Sequence, residues 1–151
     1  MIRQTIFATL ASAAMTLPAF AADIIHKVSP HSVTITMDRL QAAVEGAGAT
    51  VFARVDHASG AASVDMELRP TELLIFGNPK LGTPAMQDNQ TAGLDLPLRV
   101  LAYADAEGVV HVTYHAPASL AETHGLPTDA KYLMMMTGAL DKLTSKAIAA
   151  E

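Results

Sequence analysis

Leu98-Arg99-Val100-Leu101-Ala102-Tyr103-Ala104, then Asp105-Ala106-Glu107-Gly108, then Val109-Val110-His111-Val112-Thr113-Tyr114-His115, is the stretch on which the fold turns. Two runs rich in β-branched and aromatic residues flank a four-residue connection whose last member is glycine. That pattern predicts a β-hairpin with Gly108 at the left-handed position. Pairing Ala104 with Val109 sets Arg99 opposite Tyr114, Leu101 opposite Val112 and Tyr103 opposite Val110 on one side of the ribbon. Ala102 and His111 then share the other. The first side is the more apolar and is expected to face the core, with Arg99 and Tyr114 at its end, where Asp95 can pair with the guanidinium.

Upstream of the hairpin, residues 72–77 contain Leu73-Leu74-Ile75-Phe76, apolar on both faces, which predicts a central strand covered on each side. The connection over 78–97 holds three prolines and two glycines, with a short helical possibility at 84–89. Long ordered connections of this kind often carry function. Residues 50–57 alternate as a strand that ends in Asp56-His57, and 58–70 predict a short, weak helix. Val33, Ile35 and Met37 alternate over 32–37 and predict a further strand. A helix is expected to follow, capped by Asp38, buried through Leu40, Ala43, Val44 and Ala47, and stopped by Gly46 and Gly48. Downstream, Pro117 opens and Gly125 closes a short helix with Leu120, Ala121 and His124 on one face. Asp129 is expected to cap the last helix, where Leu133, Met136, Leu140, Leu143 and Ala147 step by three and four. The sum is an α+β fold: a compact two-layer domain, mainly an antiparallel sheet of about five strands with helices packed on one face.

Half of the 151 residues are apolar and 17% are charged, which excludes a disordered chain and a multidomain enzyme. Arg3, the apolar stretch 6–17, Pro18 and the Ala19-Phe20-Ala21 segment have the layout of a signal peptide over 1–21, cleaved after Ala21. A periplasmic or secreted location is the expectation. Residues 22–30 are expected to be a flexible mature N-terminus, and 31–151 a single domain. The apolar stretch is too short and too often interrupted for a span of about 20 residues, so no stable membrane anchor is expected. Past residue 21 nine basic residues stand against fifteen acidic ones, a charge of −6 that disfavours nucleic acid as a partner. There is no cysteine, so core packing alone must hold the domain.

Asp56-His57, the string Leu68 through Lys80 with its Phe76-Gly77-Asn78-Pro79-Lys80 end, the string Gly93-Leu94-Asp95-Leu96-Pro97-Leu98-Arg99-Val100, Tyr114 and Pro117 together resemble domain-of-unknown-function family 302, over about residues 31 to 145. The resemblance implies a compact α+β domain, often secreted in bacteria and sometimes fused to other modules, with no settled activity. Where the family more often has an Asn or Asp pair after the tyrosine, this chain has His115-Ala116.

The candidate ligand-binding residues are His57, Asn78, Asp95, Arg99 and Tyr114, which the family-like segments bring to strand ends and one long loop. His57 reads either as a general base or ligand contact, or as a hydrogen-bonding partner of the next loop. Gly77-Asn78-Pro79-Lys80 lies where α/β proteins bind phosphate, yet Thr83 stands where a P-loop needs lysine, and Asn-Pro is turn chemistry. No metal site is expected: on one strand His111 and His115 lie about 13 Å apart, and no zinc motif is present. Met134, Met135 and Met136 point in different directions on a helix and cannot converge on one ion. No cofactor is expected. Three functions remain: a small exported domain that binds a small ligand or serves as an accessory or stress-related module; an acid-base enzyme using His57 and Arg99, without a recognisable Ser or Cys nucleophile; and a homodimer through the C-terminal helix, whose off-stripe residues Met134, Met135, Ala139 and Ile148 supply a second apolar face.

Overall fold

The computed structural model describes residues 24–150. The signal peptide and its cleavage after Ala21 lie outside the described residues. In chain order the elements are β1 (Ile24–Ser29), α1 (Val33–Gly46), β2 (Thr50–Asp56), α2 (His57–Ala62), β3 (Thr71–Gly77), α3 (Pro79–Asp88), a 3₁₀ turn (Gln90–Leu94), β4 (Leu98–Ala104), β5 (Val110–His115), α4 (Ala118–His124) and α5 (Lys131–Ile148). The five strands form one sheet in the order β1-β5-β4-β3-β2, with every pair antiparallel. The α+β expectation is met.

The main core lies between one sheet face and helices α1 and α5. Leu74 and Phe76 of β3, Val100 and Ala102 of β4, and Val110, Val112 and Tyr114 of β5 meet Met37, Leu40 and Val44 of α1 and Leu140, Leu143 and Ala147 of α5. A second cluster forms where α3, the 3₁₀ turn, α4 and the start of α5 converge on Ala85, Ala92, Leu120, Leu126, Tyr132 and Met136. The last helix serves both clusters: its stripe at 133, 136, 140, 143 and 147 is buried as its spacing demands.

Four local readings change. Residues 33–37 are not a strand but the first turns of α1: Ser32 caps the helix by accepting from the Ile35 N–H at 3.2 Å. Val33, Thr36, Met37 and Leu40 are buried while Ile35 is 50% exposed, so the 3.6-residue period wins over the alternation. The missing strand is supplied by β1, in the segment expected to be loose. It pairs along its length with β5, and Lys27 anchors it to α5 by bonds to Asp141, Thr144 and Ser145. Strand β3 is interior but covered on one face only, since its buried residues alternate as Glu72, Leu74 and Phe76. Ala130, not Asp129, stands at the N-cap of α5.

The hairpin is present, but its register is shifted by one: Ala104 pairs with Val110, Ala102 with Val112, and Leu101 with Thr113. The connection is five residues long because Asp105 caps it, its carboxylate accepting from the Glu107 N–H at 3.0 Å and the Val109 N–H at 2.8 Å, with Gly108 at φ 81°. A one-residue slip moves every side chain to the other face. Tyr114 therefore stays in the core with Val100 and Val112, while Arg99, Leu101 and Tyr103 lie on the face away from the helices.

Candidate functional site

The five candidate residues fall into three places. Asp56 ends β2 as the cap of α2, accepting from the Ser59 N–H at 2.9 Å and its hydroxyl at 2.6 Å, and these bonds hold its carboxyl below the usual range. His57 is the exposed first residue of that helix. Asp56 pairs with Glu72 at the start of β3, whereas Asn78 follows the strand's last residue, Gly77. His57 thus sits about 20 Å from Asn78 along the strand, at ~3.3 Å per residue, while Arg99 pairs with Ile75 midway along β3, two strands across from β2. Tyr114 is 7% exposed, on the core side of β5 as its register position predicts, and the register shift puts Arg99 on the opposite face from it.

Asn78, Asp95 and Arg99 do gather at one end of the sheet. Asn78 caps α3, its side-chain oxygen accepting from the Lys80 N–H at 3.0 Å, with Pro79 at the first helical position. This is the turn reading of Asn-Pro, and α3 extends from there through most of the connection. Arg99 Nη2 donates to Asp95 Oδ1 at 3.0 Å, the pair expected from the sequence, but with both side chains more than 40% exposed. A surface pair of this kind contributes at most about 1 kcal/mol.

His124, expected on the inner face of α4, was not among the candidate residues, yet it joins this site. Its ring, 4% exposed, joins Asp95 Oδ2 through Nε2 at 2.8 Å and Thr91 Oγ1 through Nδ1 at 3.0 Å. Asn89 adds a bond from Nδ2 to the His124 carbonyl at 2.8 Å. The network fastens the 3₁₀ turn to α4. The available signal was the position of His124 on the buried face of a short helix, since a buried imidazole needs a partner for each nitrogen.

Two hollows flank this network. The larger, about 190 Å³, lies beneath α3; Phe52, Leu81, Met86, Leu96, Pro97 and Met136 form its apolar walls. Asn78 and Thr83 also line it, as do Gly77 and Gly82. Gly77 permits a close approach: a Cβ there would come within 3.3 Å of the Pro97 Cβ and 3.6 Å of the Phe52 ring. The strings around residues 76–80 and 93–100 thus build opposite walls of one cleft. The smaller hollow, about 130 Å³, is bordered by Asp95, Arg99 and His115. Leu98 lines both.

Elsewhere, Glu72 is buried on the core face beneath Arg54, which bonds it at 2.6 Å and also reaches Asp38. Burial works to lower the Arg54 pKa, but the two carboxylates raise it on balance. His111 stacks on Tyr103 with centroids 5.1 Å apart and bonds Asp105 at 2.7 Å, which lowers the Asp105 pKa. Ala139 and Ile148 pack partly against the core, so the second apolar face of α5 reduces to Met134 and Met135, 62% and 49% exposed.

A two-layer α+β domain with a small cleft at one sheet end is the class these features define. The chain belongs to the family described as "Domain of unknown function DUF302", whose model matches residues 25–143. The crystal structure of the uncharacterized conserved protein DUF302 from Bacillus stearothermophilus superposes with a TM-score of 0.75 at 16% identity, covering 84% of this chain and 99% of that one. Curated relatives include "Fluoride-specific ion channel FluC 1" of Brucella suis biovar 1, 44% identical over 135 residues, a match covering 78% of this chain and 53% of that protein. "Fluoride-specific ion channel FluC 2" of Brucella melitensis biotype 1 matches at the same identity over 50% of its length. The chain spans about half the length of these relatives. Among the described residues no helix is long and apolar enough to cross a membrane.

Proposed function

We propose that this chain is a small-ligand binding module whose site is the apolar cleft beneath α3. The observation that carries this reading is the cleft itself: a hollow of about 190 Å³ with apolar walls, and Asn78 and Thr83 as its polar groups. An engineered apolar cavity of roughly 150 Å³ holds benzene, so the somewhat larger cleft suits a small aromatic ring system or a branched aliphatic group. Sites with apolar walls and few polar groups are the common form of ligand pocket. Titrating the ¹⁵N-labelled protein with indole tests it. Saturable shifts confined to amides around Gly77, Leu81, Gly82 and Leu96, abolished by Gly82→Leu, are the expected result. Shifts that never saturate, or that survive Gly82→Leu in a folded protein, would overturn it.

In the longer Brucella relatives we assign the shared half an accessory binding role beside the named channel activity, a reading supported by the half-length match. Export of the present chain is supported by the leader-like pattern before Ala22, and the mass of the product recovered outside the cytoplasm tests it: a chain starting at Ala22 is expected.

A further inference from the structure

The hollow beside Asp95 has a different chemistry from the cleft beneath α3. Its floor is aliphatic, made by Leu98 of β4, Leu120 of α4 and Leu140 of α5. Its polar lining includes Arg99, His115 and Thr123. Asp95, also on the rim, already has both oxygens engaged, one by Arg99 at 3.0 Å and the other by His124 at 2.8 Å. Both of its acceptor oxygens are therefore occupied, and the Arg99 guanidinium offsets its charge. Ser119, the remaining hydroxyl there, donates to the Ala116 carbonyl at 2.7 Å. Arg99, by contrast, bonds Asp95 through Nη2 alone and keeps its other guanidinium N–H groups. Among the described residues the side chains of His115 and Thr123 make no hydrogen bond.

Three side chains with donors to spare thus surround an aliphatic floor. A cation would meet Arg99 and a compensated carboxylate. A bare halide could use the donors but would gain nothing from three leucines. A phosphate dianion would face a single permanent positive charge already shared with Asp95. The ligand that uses both halves is amphipathic, singly negative and small: a hollow of about 130 Å³ is slightly less than the space that benzene fills, which is room for roughly four or five carbon atoms. We propose that this hollow binds a short-chain aliphatic monocarboxylate, its carboxylate on Arg99 and Thr123 and its chain on Leu98, Leu120 and Leu140. The site is separate from the cleft beneath α3 and stands without it.

The test is an amide-shift titration with sodium isovalerate, run beside isovaleramide, sodium chloride and sodium fluoride. Isovalerate is expected to give saturable shifts at Arg99, Ala116 and Thr123, with a millimolar dissociation constant. Arg99→Gln should weaken it by about tenfold or more, the loss of a charge-assisted hydrogen bond, and Thr123→Val by a few-fold. His124 still holds Asp95 in Arg99→Gln, and the thermal melt of each variant shows whether it folds. Gly82→Leu, which fills the other cleft, should leave isovalerate binding unchanged, so that failure of one site is distinguishable from failure of the other. Equal binding of the amide, the same shifts from either halide, no saturation at tens of millimolar, or no loss in folded Arg99→Gln and Thr123→Val proteins would each overturn the proposal.

Discussion

The two hollows on either side of Leu98 share a strand and a helix but differ in what closes them. Beneath α3 the walls are apolar, and the closure is made by packing: Leu81 and Met86 come down from the helix onto Leu96, Pro97 and Met136. Beside Asp95 the floor is leucine, but the rim is fixed by hydrogen bonds running from Thr91 through His124 and Asp95 to Arg99. Met136 and Leu140, one turn apart on α5, each wall one of them. Packing makes a shape that accepts whatever fits, whereas a donor array selects by charge. A single helix can therefore support a permissive hollow and a selective one side by side.

The contrast breaks most severely if the shared helix is cut back. Met136→Ala and Leu140→Ala each remove a side chain that is 1% exposed and should each cost about 2–5 kcal/mol in urea unfolding. The first should widen only the apolar cleft and the second only the polar hollow. A cost well below that range would mean the neighbours collapse into the space. Next comes His124→Ala, which strips a partner from Asp95 and from Thr91 and should cost about 1–3 kcal/mol. Its amide shifts are expected around Arg99 and Thr91 and not around Phe52; equal perturbation of both regions would erase the distinction.

A smaller effect is expected from Tyr132→Phe. The Tyr132 hydroxyl donates to Asp88 at 2.7 Å, linking the start of α5 to the end of α3. Removing it should cost about 1 kcal/mol and loosen only the apolar cleft. Burial, reinforced by Asp88, pushes the Tyr132 pKa up to about 12. Because the folded value lies above the unfolded one of about 10, the neutral phenol stabilises the fold fully below pH about 10, and that contribution is lost as pH rises through about 12. Urea midpoints measured from pH 9 upward should fall for the wild type, and the part of that fall due to Tyr132 should be absent in Tyr132→Phe. The smallest effect is Gly82→Ala. An added Cβ would meet Leu96 at 3.9 Å and Met86 at 4.0 Å, ordinary contacts. Stability should therefore hold or rise by up to about 1 kcal/mol, while indole binding weakens.

How much of this was legible follows from the range of each interaction. The buried stripe of α5, the left-handed Gly125 closing α4 and the Asp95–Arg99 pair rest on neighbours within one or two turns, and all three could be read. The start of α1 was misread because Val33, Ile35 and Met37 fit an alternation, although Ser32 offered a cap. Strand β1 depends on a partner, β5, some ninety residues away, and local pattern does not carry that pairing. The hairpin register turned on whether its loop held four residues or five, which Asp105 decides by capping the Val109 N–H. From that slip came the reversal of the face on which Arg99 lies, while Tyr114 keeps its place on the core side of β5. His124 joined the site through a helix that follows Asp95 by 29 residues, a separation no local period spans.

Both flanks of the sheet end in a basic side chain turned inward. On β1, Lys27 reaches over to Asp141 and the hydroxyls of Thr144 and Ser145; on β2, a bulge between Val51 and Ala53 adjoins Arg54, which is clamped to Glu72 and Asp38. A sixth strand laid against either flank would have to match an interrupted ladder or seal a charge further from water, the kind of obstacle that blunts edge-to-edge growth. The domain can thus be held at high local concentration, or appended to a longer polypeptide, without polymerising through its rims.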